Sequence, residues 1–337
     1  MRKFYKAAVL GIMTAFMAGL LFVGQSQAIT KSGNKTIIRV GNETGKTDSQ
    51  FIGLQVMAAE VKKLSKGSME LQLNPGSVLG SGPAMVDMVK NGTLDIYMGG
   101  AGFFAAWDGR LFVFDIPYLF SSAEQAHAIL DSDFGAEMLS TLEPFGVKGL
   151  AFWENGVRNI TNSVRPIKTP DDVKGLKLRV MPANPVHVKI WTMMGAKPEP
   201  LTFSAIYDAL KNKTVDGQEH PISAIYSGKF YEVQKYMSLT RHIYGPLIMI
   251  MNKASFDSLT KEQQDIMITA SKAGAAAQRK FIKDNEAKFS AEMQKAGMEI
   301  IEVDPAPFRN KVRPTIEKDY IKQNGNAWLK KIESLKK

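Results

Sequence analysis

The sequence predicts an α/β fold in two domains, and three observations predict it. Short β-branched and apolar runs alternate with amphipathic helical patterns along most of the chain, which argues for sheets rich in parallel pairing. About three hundred residues remain once a leader segment is set aside, enough for two domains with cores of their own. One helical pattern, from Lys261 to Ala296, contains no proline. At about 1.5 Å per residue it reaches roughly 50 Å, longer than one domain of this size.

The chain opens on a targeting segment. Arg2, Lys3 and Lys6 make a basic start, Ala7 to Val23 an apolar core, and Gly24 to Ala28 a short polar stretch. Ser26 and Ala28 place small residues at the −3 and −1 positions before Ile29, which predicts a cleavable signal over residues 1–28. An uncleaved anchor helix is the alternative, and the short apolar run argues against it. With no cysteine near the cleavage point, a lipoprotein anchor is excluded, and no later stretch is apolar enough to span a bilayer. The mature chain is therefore expected to be soluble and exported, in the periplasm.

Cysteine is absent altogether, which excludes disulfides, thiol catalysis and cysteine-ligated metals. The formal charge of +10 includes the three leader cations, leaving +7 on the remainder. These cations are dispersed, heavily lysine and many at the C-terminus, without a nucleic-acid motif. No nucleic-acid partner is expected; a mild attraction for anionic ligands is.

In chain order, Thr36 to Val40 reads as the first strand, Phe51 to Leu64 as a helix and Met69 to Leu73 as a strand. Pro83 to Lys90 is helical and Leu94 to Met98 is the third strand. Gly99-Gly100-Ala101-Gly102 follows it, where Gly100 would let backbone approach a ligand closely. Gly76, Gly80 and Gly82 fit no phosphate-binding fingerprint and read as turns. Helices are expected over Ala123 to Ile129 and Phe134 to Leu142, then a strand from Gly146 to Phe152.

From Ala151 to Val180 the pattern is a strand end, a polar loop carrying Arg158, a one-turn helix and a second strand. Thr169 is a natural N-cap, Pro170 suits the first helical position, and Asp171 and Asp172 favour the positive end of the dipole. Gly175 stops the helix in the left-handed conformation. Arg158 and Arg179 thus lie close to strand ends, where open α/β sheets place their ligands. An arginine fork gives a carboxylate two parallel hydrogen bonds and keeps its charge when buried. The plainer alternative is that Arg179 shares a solvated strand face with Lys177 and that Arg158 is an ordinary loop cation.

Pro185 to Met194 and Phe203 to Leu210 read as helices, the latter with Phe203 and Tyr207 on one face. Val215 to Pro221 is a strand end feeding a loop, and Leu247 to Asn252 returns to the first domain. The long helix could instead be two helices kinked near Gly274. The tail from Pro305 to Lys337 reads as further helix.

Catalytic patterns are missing. The four histidines, His127, His187, His220 and His242, form no HExxH and no i, i+4 pair, and there is no GxSxG. Asp171 and Asp172 are explained by helix capping. An enzyme is not expected, nor any metal or cofactor.

Several motifs in a fixed order carry a resemblance. They are Gly92-Thr93-Leu94-Asp95-Ile96, Asp115-Ile116-Pro117-Tyr118, Gly156-Val157-Arg158, Gly175-Leu176-Lys177-Leu178-Arg179-Val180, Val215-Asp216-Gly217-Gln218-Glu219 and Lys229-Phe230-Tyr231-Glu232. Across roughly residues 38 to 310 the chain resembles the DctP-like substrate-binding proteins of tripartite ATP-independent periplasmic (TRAP) transporters. The resemblance implies a two-lobed periplasmic-binding-protein fold with the long helix bracing both lobes. Lobe I would hold residues 29–153 plus about 245–275, lobe II 154–244 plus about 276–310, and 311–337 a helical tail.

It further implies that Arg179 makes the main bidentate clamp on a ligand carboxylate and that Arg158 supplies a second cation. Phe203 would pack against the ligand, with Trp153 another wall. His220 stands where the family often has asparagine, which bears on the ligand class. Glu43, just past the first strand, would suit a hydroxylated ligand such as a sugar acid better than a bare dicarboxylate; the alternative is a water-exposed loop residue. The implied partners are a small organic acid and the TRAP membrane permease subunits, with the protein a monomer and no nucleotide involved. A receptor presenting its ligand to a sensor kinase is the alternative role for the same fold.

Overall fold

The computed structural model describes residues 29–336; the expected signal segment 1–28 lies outside them. A hairpin of β1 (Thr30–Ser32) and β2 (Lys35–Gly41) comes first, turned through Gly33 at φ +59°. Next are α1 (Ser49–Leu64), β3 (Met69–Asn74), α2 (Gly82–Lys90) and β4 (Ile96–Gly100). Helices α3 (Ala123–Leu130) and α4 (Asp133–Ser140) lead into β5 (Val147–Asn162). The chain then runs through β6 (Lys177–Val180), α5 (Pro185–Met193), β7 (Lys197–Pro200), α6 (Ile206–Lys211) and β8 (Gly217–Pro221). After α7 (Ile222–Ser227), β9 (Tyr236–Leu239) and β10 (Tyr244–Asn252) come α8 (Lys253–Asp257) and α9 (Lys261–Lys295). The last elements are β11 (Glu299–Glu302), α10 (Pro305–Asn324) and α11 (Ala327–Leu335).

The strands lie in the order β1-β2-β4-β10-β5-β8-β6-β7, with β3 on the outer side of β2 and β9 joining β5 to β11. The pairs β2–β3, β2–β4, β6–β7, β6–β8 and β9–β11 are parallel, as strand–helix alternation predicts. The middle is antiparallel, because β5 and β10 carry the chain across and back. Residues Val147 to Val157 of β5 pair with β10 in a first sheet, and Arg158 to Asn162 pair with β8 and β9 in a second. The prediction of parallel-rich sheets therefore holds only on either side of this junction.

Two local expectations need correction. The polar stretch around Arg158 is strand, not loop. Gly156, at φ +116°, and a register shift between Gly245 and Pro246 turn the ribbon from one sheet into the next without ending it. The helix expected from Phe203 to Leu210 divides into a tight turn, Phe203–Ala205, and α6. Ala205 N bonds Thr202 O in the i→i+3 manner, so Phe203 and Tyr207 do not share one α-helical face.

The capping predictions fit. Asp172 accepts from Thr169 N in the predicted one-turn helix, and Gly175 takes φ +82°. Helix α9 is single, 35 residues long, opened by a Thr260–Gln263 capping box. Gly274 is where α9 crosses α1: a Cβ there would lie 2.6 Å from the Trp153 ring and 2.9 Å from Gly53 O. Trp153, expected at the ligand, is fully buried beneath this crossing and donates from Nε1 to Ser271 Oγ at 3.2 Å. An apolar ring at the middle of β5 gains more from that core than from a wet cleft. No helix among the described residues is long and apolar enough to cross a membrane.

Candidate functional site

Glu43 lies just past β2, Gly100 ends β4, and Arg179 and His220 are the penultimate residues of β6 and β8. Parallel strands of both sheets thus point their carboxyl ends at one cleft, the usual binding position in open α/β sheets. That cleft, about 550 Å³ with its mouth included, is lined by Glu43, Gly100, Arg158, Arg179, Phe203 and His220 among others. Of the seven residues expected at the site, only Trp153 is elsewhere. Gly100 also makes room for Met181 of the opposite wall, whose Sδ lies 3.4 Å from where a Cβ would sit.

Arg179 is buried, against the plainer reading of a solvated strand face. Its Nε donates to Leu201 O at 2.8 Å and its Nη1 lies 3.4 Å from His220 Nε2. Among the described residues Nη2 has no protein partner. Burial pulls Arg179 down to about 9; Glu219 and Glu43 oppose the shift and Arg158 adds to it. A guanidinium still carries its charge at neutral pH, so the cleft holds a buried cation with incomplete compensation.

Arg158 is differently placed. Its Nε donates to Glu219 Oε2, and its Nη2 donates to Glu219 Oε1 at 2.8 Å and to Glu219 O at 2.6 Å. Glu219 also lies 3.1 Å from His242 Nε2 and 3.3 Å from His187 Nδ1. His187 Nε2 meets Asp115 Oδ1 at 3.0 Å, and Asp115 Oδ2 accepts from Asn184 Nδ2 at 2.9 Å. Burial works against the Glu219 charge, yet Arg158 and then His187 outweigh it and hold the carboxylate well below its usual range. Burial likewise opposes a charge on His187, but Glu219 and Asp115 raise it to about 9. The second arginine thus comes with its own counter-ion and a stack of ionic partners behind it.

Glu43 faces Arg179 from the first sheet. Its Oε1 accepts from Gly82 N at 2.8 Å and its Oε2 from Tyr97 Oη at 3.0 Å. Burial raises its pKa, against the pull of Gly82, Tyr97 and Arg179. It is neither a loose loop residue nor a spent one, since each oxygen keeps a further acceptor position. Phe203 closes the second wall, its ring 5.5 Å from His220 and 5.9 Å from Phe230.

Glu219, His187, His242 and Asp115 have no role in the sequence reading, although Glu219 sits inside a recognised motif. Only the fold brings β8, α5, the short 3-10 segment Gly109–Asp115 and the connection between β9 and β10 together to make them neighbours, and no spacing in the chain announces that.

Over residues 40–323 the chain matches the family described as bacterial extracellular solute-binding protein, family 7. It is similar to the 2,3-diketo-L-gulonate-binding periplasmic protein YiaO of Escherichia coli K12, 38% identical over 309 residues, 90% of this chain and 92% of that protein. A TRAP periplasmic solute-binding protein of a Polaromonas species, solved with D-erythronate, has a TM-score of 0.84 at 34% identity, covering 89% of this chain and 98% of that one. The sugar acid binding protein of Advenella mimigardefordensis, solved with galactonate, has a TM-score of 0.85 at 32% identity over 89% of this chain and 99% of that one.

Proposed function

Because the chain belongs to bacterial extracellular solute-binding protein family 7, the DctP-type receptors of TRAP transporters, we propose that its cleft captures a hydroxylated organic acid and passes it to a membrane permease. The observation that carries this reading is the buried Arg179, which lines the cleft and whose Nη2 has no protein partner among the described residues. A carboxylate set against that fork supplies the missing negative charge. Glu43, across the cleft, offers acceptors to ligand hydroxyls and repels a second carboxylate, which favours a sugar acid over a C4-dicarboxylate. The relatives solved with erythronate and galactonate support the same class.

Arg158 acts here as a Glu219-held cation at the edge of the carboxylate site, and Phe203 packs against the ligand's carbon face. The two lobes close on the acid, and the closed form docks on the permease. The protein works as a monomer in the periplasm after loss of the leader.

Calorimetric titration of the mature protein with galactonate, erythronate and succinate tests the reading. The two hydroxy acids are expected to bind more tightly than succinate, and Arg179→Ala to weaken them by about 100-fold or more while the fold persists. Unchanged affinity in that variant would remove the clamp, and preference for succinate would remove the hydroxylated class.

A further inference from the structure

A relay of side chains behind the cleft fixes which face His220 shows to a ligand. It starts at Gln234, whose Nε2 lies 3.3 Å from Asp216 O, 3.1 Å from Val233 O and 3.2 Å from Ser163 Oγ. Backbone carbonyls only accept, so the amide nitrogen must point there, and Gln234 Oε1 must be the acceptor on its other side. That oxygen lies 2.9 Å from Thr161 Oγ1, so the threonine hydroxyl spends its single proton on it. Thr161 Oγ1 can then only accept, and it does so from Gln218 Nε2 at 2.9 Å. Gln218 Oε1 is therefore turned to His220 Nδ1, which must carry the imidazole proton.

The opposite ring nitrogen follows by exclusion. Burial, with Arg158 and Arg179 beside it, keeps the His220 ring neutral, so Nε2 holds a lone pair. This nitrogen is the one 3.4 Å from Arg179 Nη1, a long contact that a hydroxyl of the acid proposed for Arg179 can displace. The ring itself packs against both Phe203 and Phe230, 5.5 and 6.0 Å away. A neutral histidine could in general donate from either nitrogen; here the relay leaves it only an acceptor to offer.

We infer that His220 is a specificity-determining residue, a fixed hydrogen-bond acceptor that selects acids bearing a donor hydroxyl next to the carboxylate and rejects their 2-oxo counterparts. The inference rests on the proposed binding of the carboxylate by Arg179. A 2-hydroxyl can give its proton to Nε2. A 2-oxo group has no proton to give and turns a lone pair towards Nε2, so the long contact from Arg179 Nη1 stays its one donor and the bond the hydroxyl makes is lost.

The test pairs D-gluconate with 2-keto-D-gluconate, and D-glycerate with hydroxypyruvate, in titrations of the mature wild type, His220→Asn and Thr161→Val. Wild type is expected to favour the hydroxy member of a pair by about tenfold or more. His220→Asn, which can present an amide donor, is expected to erase or reverse the preference, and Thr161→Val, which frees Gln218 to turn, to reduce it. Nitrogen-15 shifts of the His220 ring in ligand-free protein supply a readout that needs no ligand, with protonated Nδ1 expected. Protonated Nε2, equal binding of the two members, or a preference untouched by His220→Asn overturns the inference. Binding of neither pair overturns the acid-receptor reading beneath it, and the ring shifts then still decide whether the acceptor exists.

Discussion

Glu219 is the residue on which the ionic interior depends. Its carboxylate answers two buried cations, Arg158 and His187, and removing its charge strands Arg158 and leaves His187 with Asp115 alone. Glu219→Gln is expected to cost about 3–5 kcal/mol, read as a lowered midpoint in urea unfolding; a loss under about 1 kcal/mol would show that the network is not ionic in practice. The same cluster sets a pH dependence. His187 is raised to about 9 in the folded protein, from 6.5. Its contribution is therefore fully present below 6.5 and is lost as pH rises through about 9. His220 and His242 are lowered, so their effect falls on the acid side. Stability should decline between these two values in wild type and decline less in His187→Asn. Equal slopes would remove the assignment.

At the scale of elements, the crossing of α1 and α9 turns on two glycines. An alanine in a helix interior is ordinarily better than glycine by about 1 kcal/mol. Here the added Cβ would meet the Trp153 ring at 2.6 Å and Gly53 O at 2.9 Å, one a packed ring and the other backbone. Overpacking costs of about 1–3 kcal/mol exceed the propensity gain. Gly274→Ala is therefore expected to lower the melting temperature, and a rise would mean that the helices part easily. The elements themselves were largely legible, because capping residues and hydrophobic periods are local. Thr169 to Gly175 and the α9 capping box show this. What failed was local evidence asked to report distant partners: Glu154 to Arg158 looks like a loop because it is polar, yet it is strand because β10 and β8 pair with it. The four-residue β11 is set by its parallel pairing with β9, which no window of sequence contains.

At the scale of the molecule, one hydrogen bond is placed to hold the proposed closure. Asp48, the N-cap of α1, accepts from Gln50 N at 2.8 Å with one oxygen and from Ser227 Oγ, at the end of α7, at 2.6 Å with the other. The first bond belongs to the helix and the second ties the two sides of the cleft. Ser227→Ala should leave the helix cap in place while weakening ligand binding about tenfold, through faster release. Unchanged release kinetics would show that the bridge does not hold the cleft shut.

By itself the sequence determined the α/β class, the order of most elements and the family, and six of the seven residues it singled out line the cleft. Those features follow from short-range periodicity, capping chemistry and ordered motifs. Tertiary structure alone decided the rest. It buried Trp153 under a helix crossing, gave Arg158 a buried counter-ion shared with His187, and fixed the proton of His220 through Gln218, Thr161 and Gln234. The physical reason is common to all three. A side chain's charge, proton and exposure are set by neighbours within a few ångströms, and those neighbours come from strands far apart in the chain.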